Sequence, residues 1–250
     1  MPILTGKVIL ITGVDLLARR NPARIYIIGR NAEGAENVIQ KVRREIPESK
    51  TEIKFIKCDL TIRSSVKQVA EYLPSQESRL DVLRANAGIM ATPPGLTKDG
   101  YEVQFGTNHL GHTLHYPQNG GVVFDELKTR QDYWVLGPRQ RYGQSKLANI
   151  LYARELARRY PSITSLAIHP GTTPTSLIGS LSCKNKFITV EQGPCSQVWA
   201  VGAPKSKAVS GNSYQPVGVN PEDILTPHAL DRKLAEKLWD WTEKEINSYL

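Results

Sequence analysis

The sequence predicts an α/β fold, a doubly wound parallel sheet covered by helices, in a single domain. Three observations predict it. Strand-like and helix-like segments alternate along the chain. The strand-like segments end in short loops carrying Gly, Asp or Asn, at the sheet edge where such folds bind ligands. The chain has 250 residues, 40% of them hydrophobic, with no internal repeat, low-complexity tract or Pro/Ser-rich linker, which suits one domain with a real core.

The elements follow in order. Val8–Thr12 is an unbroken apolar run closed by Thr12-Gly13, and reads as a strand. Ile25–Ile28 is a second, closed by Gly29-Arg30. Ala35–Ile46 carries apolar residues at helical spacing. Ile53–Lys57 is a strand leading to Cys58-Asp59-Leu60. Ser64–Leu73 is a helix that Ser64 is placed to cap. Asp81–Ala85 leads to Asn86-Ala87-Gly88, and Glu102–Leu114 reads as a helix. Tyr142–Arg159 is a long helix, and Ser165–His169 is a strand stopped by Pro170-Gly171. Asp231–Tyr249 closes the chain as a helix with Leu234, Leu238, Trp241 and Leu250 near one face.

Composition excludes several classes. No apolar run reaches the ~18 residues of a membrane helix. The start, "MPILTGKVIL", lacks the pattern of a secretory signal, so a cytoplasmic location is expected. Cys58, Cys183 and Cys195 are odd in number and scattered, against a disulfide framework or a zinc site. His109, His112 and His115 form no metal pattern with an acid or cysteine, so no metal is expected. The net charge of +8 is spread among acids, which reads as a solvated surface rather than a nucleic-acid face. Trp239 and Trp241 read as packing, and Cys58 as a small buried residue.

The chemistry concentrates in "YGQSKLANILYARELARRY". Tyr142 and Lys146 stand four apart in a helical pattern, which puts both on one face. A tyrosine serves as a general acid when its phenol is made easier to ionise, and a nearby ammonium does that by favouring the phenolate.

Taken together, "ITG" at Ile11–Gly13, "CDL" at Cys58–Leu60, "NAG" at Asn86–Gly88, "TNHLGH" at Thr107–His112, "YGQSK" at Tyr142–Lys146 and "HPGTTPT" at His169–Thr175 resemble the short-chain dehydrogenase/reductase family. The wording around residues 86–112 is similar to its retinol-dehydrogenase-like and WW-domain-oxidoreductase-like branch, often represented in fungi. The resemblance implies a Rossmann-like fold and hydride transfer between a nicotinamide cofactor and a carbonyl or alcohol carbon. It makes Tyr142 the proton donor or acceptor and Lys146 the residue that holds the nicotinamide ribose and lowers the tyrosine pKa. Asn108 would anchor a water linking the lysine to solvent. Thr12 and Gly13 would open the phosphate loop. Asp59 would meet the adenine beside the Leu60 backbone. Asn86, Ala87 and Gly88 would line the cofactor near its ribose. Pro170, Gly171, Thr173 and Thr175 would hold its carboxamide and diphosphate side. A homodimer or homotetramer built through helix packing is implied as well.

Cofactor choice is argued from charge. An NAD enzyme of this topology usually ends its second strand on an acid that binds the ribose hydroxyls. Here Gly29-Arg30-Asn31 stands there, and the arginine favours the 2′-phosphate of NADP(H) over NAD(H). Leu177–Ile188, where the family places a substrate lid, is apolar enough to suggest a lipophilic substrate.

Three places depart from the family. A parallel βαβ unit runs to about 30 residues, yet Val8 to Ile28 spans 21. No glycine lies between Gly13 and Gly29, so the glycine-rich loop and most of its helix are missing near residues 14–16. No serine lies between Asn108 and Ser145, so the strand ending in the catalytic serine is missing near 114–115. Thr129, 13 residues before Tyr142, sits in a charged segment with no strand before it and is a poor substitute. A smaller gap falls near 188–190. These departures leave two rival readings open: an inactive nucleotide-sensing or scaffold protein on the same fold, and a lyase or isomerase on that fold.

Overall fold

The computed structural model describes residues 4–12, 17–111, 122–133, 137–171, 194–221 and 225–247. They fall into two compact units, 1–87 and 88–250, each described by itself.

The first unit is a parallel sheet. β1 (Val8–Thr12), β2 (Arg24–Gly29), β3 (Glu52–Lys57) and β4 (Val82–Arg84) are ordered β3-β2-β1-β4. All three pairings are parallel, with Ile11 opposite both Ile27 and Arg84. β1 is flanked on both sides, and all five of its residues are buried, which is why it reads as a continuous apolar run. β3 lies at the edge, its apolar Ile53, Phe55 and Ile56 mixed with the charged Glu52, Lys54 and Lys57.

Helix α1 (Ala32–Glu45) is capped by Asn31, whose side chain accepts from the Gly34 N–H at 2.9 Å. It buries Ala35, Ile39 and Val42, one stripe at helical spacing. Helix α2 (Arg63–Gln76) packs Val69 and Leu73 on Val8, Leu10, Tyr26, Ile28 and Cys58. Ser64 does not cap it. The cap residue is Ile62, with no side-chain bond. Asp59 Oδ1 accepts from the Thr61 N–H and hydroxyl, and Ser65 Oγ accepts from the Asp59 N–H, so this turn closes before Ser64 is reached.

The β1–β2 crossover is as short as its sequence says. Residues 13–23 make the whole connection, and Leu17–Arg20 forms one turn of 3-10 helix with Leu17 fully buried. Returning along a five-residue strand takes about 17 Å, and a linker of this length spans about 36 Å when extended. The connection is therefore feasible, and among its described residues it holds one helical turn where such units hold a helix.

The second unit is mostly helical. Helix α3 (Val103–Phe105) continues as a π-turn over Gly106–Leu110. The buried Glu102 carboxylate caps it, accepting from Gln104 N–H at 3.0 Å and Phe105 N–H at 2.7 Å. Residues 112–114 of the expected helix lie outside the described residues. Helix α4 (Gly137–Arg159) begins five residues before the sequence pattern suggested. Its first turn, "GPRQR", has no apolar period to betray it; it is held instead by Arg141, which donates to Gln131 O at 2.8 Å and Thr92 O at 2.9 Å. β5 (Ala167–Ile168) and β6 (Ser213–Tyr214) pair in parallel, so only the middle of the expected Ser165–His169 strand pairs. Helices α5 (Cys195–Gly202), α6 (Pro227–Leu230) and α7 (Arg232–Asn247) complete the unit. Its core gathers Phe105, Leu147, Ala148, Ile150, Leu151 and Leu238, with Leu234 and Trp241 packed against it. Leu250 lies outside the described residues.

Leu238 is fully buried and Leu230 is 45% exposed. Leu238→Ala is expected to cost about 2–5 kcal/mol in urea unfolding, and Leu230→Ala under about 0.5 kcal/mol. Equal effects would contradict this packing.

Candidate active site

Between Arg141 and Leu151 every residue of α4 is buried except Tyr142 and Lys146, which are half-buried. The helix thus offers two functional side chains on one face and hides the rest. Lys146 Nζ stands over the Tyr142 ring, 5.3 Å from its centroid. Burial pushes the phenol up to about 12 and the ammonium down to about 8. The cation stands over the ring, and burial governs the phenol in this arrangement.

Asn108 lies in the middle of the π-turn and is fully buried. Its side-chain oxygen accepts from Ile89 N–H at 2.8 Å, and its nitrogen donates to Ile89 O at 2.8 Å and Ser145 Oγ at 3.1 Å. Ser145 Oγ in turn donates to Tyr142 O at 2.8 Å. Gly88 completes the cluster. A Cβ there would stand 3.1 Å from Asn108 Oδ1, tight enough that the amide would have to give by a few tenths of an ångström, and 3.6 Å from Lys146 Nζ, an ordinary contact. The structure therefore gathers four expected residues, Gly88, Asn108, Tyr142 and Lys146.

His169 is half-buried after β5, and its Nδ1 accepts from Gly171 N–H at 2.8 Å. Burial, reinforced by the Lys146 charge, lowers its pKa and keeps it neutral. Gly171 has φ +92°, which closes the Pro170-Gly171 turn. Thr173 and Thr175 lie outside the described residues, as do Gly13 and the segment 177–188.

In the first unit the strand ends carry the other expected residues. Thr12 Oγ1 accepts from Asn86 N–H at 2.8 Å and Ala87 N–H at 2.9 Å, so it braces the loop after β4. Arg30 and Asn31 are exposed where β2 hands over to α1. Asp59 and Leu60 are half-buried.

The comparisons bear directly on this arrangement. A family model described as short chain dehydrogenase matches residues 7–114. Human retinol dehydrogenase 14 is 31% identical over 296 aligned positions, covering 96% of this chain and 86% of that protein. The short-chain dehydrogenase/reductase drtF of Aspergillus calidoustus is 30% identical, covering 98% of this chain and 95% of that protein. The chain belongs to the short-chain dehydrogenase/reductase family. Within it, it falls in the retinol-dehydrogenase-like branch. The crystal structure of an uncharacterised protein from Mycobacterium paratuberculosis superposes with a TM-score of 0.74 at 25% identity, covering 98% of this chain and 95% of that one.

As a family member the chain is an oxidoreductase of a kind that binds a nicotinamide cofactor. Its shortness is internal: an alignment of 296 positions with retinol dehydrogenase 14 exceeds the 250 residues available here, so that relative carries inner segments this chain lacks. Thr129 does not supply the family's serine. Its hydroxyl donates to Glu126 O at 2.9 Å on the surface. No helix among the described residues is long and apolar enough to cross a membrane.

Sequence reasoning missed Ser145, Ile89 and Asn149. Ser145 and Asn149 left a signal: two polar residues four apart in an apolar helical stretch mark a buried polar face. Ile89 left none, because Asn108 binds its backbone and not its side chain.

Lys146 is expected to titrate near pH 8, well before the surface lysines, in NMR of 13C-methylated protein. A midpoint above pH 10 would remove the burial on which its role rests.

Proposed function

We propose that the chain works as one dinucleotide-binding domain, an NADP(H)-dependent oxidoreductase acting on a carbonyl or alcohol of a lipophilic small molecule. The observation that carries this is the exposure pattern of α4: on a buried stretch only Tyr142 and Lys146 are open, with Gly88 and Asn108 against them.

The residues present fit a dinucleotide at its ribose and nicotinamide side. Gly88 admits a close backbone approach, and Lys146 is a half-buried cation beside it. When bound, the cofactor supplies or takes the hydride. Tyr142 passes the proton: its O–H donates to the substrate oxygen in reduction and takes the proton back in oxidation. Lys146 holds the ribose and offsets the charge that forms on the phenol. Asn108 keeps Gly88, Ile89 and Ser145 in place around them. Pro170, Gly171, Thr173 and Thr175 are proposed for the carboxamide side, and Asp59 and Leu60 for the adenine.

NADP(H) is favoured by Arg30. It is exposed where β2 ends, has no acid beside it in sequence, and is long enough to fork onto a 2′-phosphate. Asn31 is engaged by its cap on Gly34. A lipophilic substrate is supported by the apolar segment 177–188 and by the retinol named for the branch's human relative. A second reading, a nucleotide-binding protein without catalysis, is favoured by the lack of any serine between Asn108 and Ser145 and of any glycine between Gly13 and Gly29.

NADPH oxidation across a panel of apolar ketones and aldehydes separates the two. Tyr142→Phe is expected to lower turnover by about 10²–10⁴ while NADPH binding, followed by nicotinamide fluorescence, is kept. Full turnover by this variant would sink the assignment, and cofactor binding with no wild-type turnover would favour the second reading. Arg30→Asp is expected to weaken NADPH about tenfold or more and leave NADH little changed. An unchanged ratio of the two affinities would refute the role of Arg30.

A further inference from the structure

A continuous line of buried hydrogen bonds runs from the last helix to the site. Thr242 Oγ1 lies 3.2 Å from His109 Nε2, and His109 Nδ1 lies 3.1 Å from Asn149 Oδ1. Asn149 Nδ2 donates to Asn108 O at 3.1 Å. From there the Asn108 side chain reaches Ile89 and Ser145, and Ser145 reaches the Tyr142 carbonyl. His109, Asn149, Asn108 and Thr242 are all at most 3% exposed.

The directions of these bonds can be worked out. Asn149 must turn its nitrogen to Asn108 O, since a carbonyl only accepts. That leaves its oxygen facing His109 Nδ1, so Nδ1 carries the proton. In the neutral ring Nε2 is then an acceptor, and the Thr242 hydroxyl donates to it. The ring is wedged between Phe105, 4.9 Å between centroids, and Tyr152, 5.6 Å. A π-turn displaces its carbonyls from the regular helical ladder, and here a side-chain amide from α4 holds the one that matters.

We propose that His109, as its Nδ1–H tautomer, is a positioning residue: through Asn149 it fixes the Asn108 backbone, and so the amide that sets Ile89 and Ser145 around Tyr142 and Lys146. Its effect on turnover rests on the proposed roles of Tyr142 and Lys146. Its tautomer and its hold on Asn108 do not.

Two substitutions separate this from mere packing. The Asn amide overlays Nδ1 of histidine, and the Gln amide overlays Nε2. His109→Asn therefore keeps the bond to Asn149 and loses Thr242, whereas His109→Gln does the reverse. Both lose the ring contacts and should lower Tm alike. His109→Asn is expected to keep kcat within about threefold. His109→Gln is expected to lose about ten- to a hundredfold in kcat, with KM and NADPH affinity little changed. The second readout needs no turnover. 15N NMR of the imidazole should show the neutral Nδ1–H form. The Asn108 carbonyl 13C resonance should move in His109→Gln and in Asn149→Leu but stay in His109→Asn. An Nε2–H ring, or equal effects of the two His109 variants, would overturn the proposal. If no carbonyl is turned over, the proposed function falls while the NMR result alone decides the role of His109.

Discussion

One buried amide organises the second unit. The Asn108 side chain pairs with both the N–H and the C=O of Ile89, as a strand neighbour would, and gives its second N–H to Ser145. A buried amide left short of partners costs about 1–3 kcal/mol per lost bond, so the Gly88-Ile89 backbone and the middle of α4 cannot shift independently of it. Gly88 lies so close under it that a Cβ would stand 3.1 Å from Asn108 Oδ1. Tyr142 and Lys146 then take their places by helical geometry, one residue outside Ser145 on the Lys146 side and one turn back on the Tyr142 side.

A second constraint acts in the first unit. β1 and β2 are parallel and in register over five residues, so the chain must return the full length of a strand between them. Residues 13–23 do so, and their described part holds one turn, Leu17–Arg20, that buries Leu17 and Ala18. The sheet survives because strand pairing and the apolar residues of β1 do not depend on the length of the crossover. A long helix behind β1 would aim its N-terminus and dipole at a diphosphate, and the short stretch between Thr12 and Arg24 leaves little room for one. The fold and the anion site thus respond very differently to the same loss.

This explains which features were legible. β1 was legible because a central parallel strand is apolar throughout, and α1 because Ala35, Ile39 and Val42 repeat at helical spacing. The Tyr142–Lys146 pair was legible because four residues make one helical turn. The first turn of α4 was not, since Arg141 holds it by reaching distant backbone carbonyls. β6 was not, since two residues carry no period. The π-turn at Gly106–Leu110 was hidden for the same reason that it matters: one altered turn does not change the composition of "GTNHL", only where its carbonyls point. The bracing of the Asn86-Ala87 backbone by the Thr12 hydroxyl was hidden too, since it joins positions more than 70 residues apart.

The electrostatics of the pair close the argument. Burial raises Tyr142 to about 12 and lowers Lys146 to about 8, so a single cause moves the phenol away from the neutral range where proton transfer is easiest and the ammonium toward it. A tenfold change in either ionisation constant corresponds to about 1.4 kcal/mol, so a single well-placed charge is enough to matter. Both groups also answer to local charge. Negative charge brought near Lys146 favours its ammonium, and an ammonium brought from the ring face to the hydroxyl favours the phenolate. Since Lys146 is a flexible chain on a rigid helix, that movement needs no change of fold. An anion beside Lys146 and the placing of its ammonium would thus act together on the charge state of the pair.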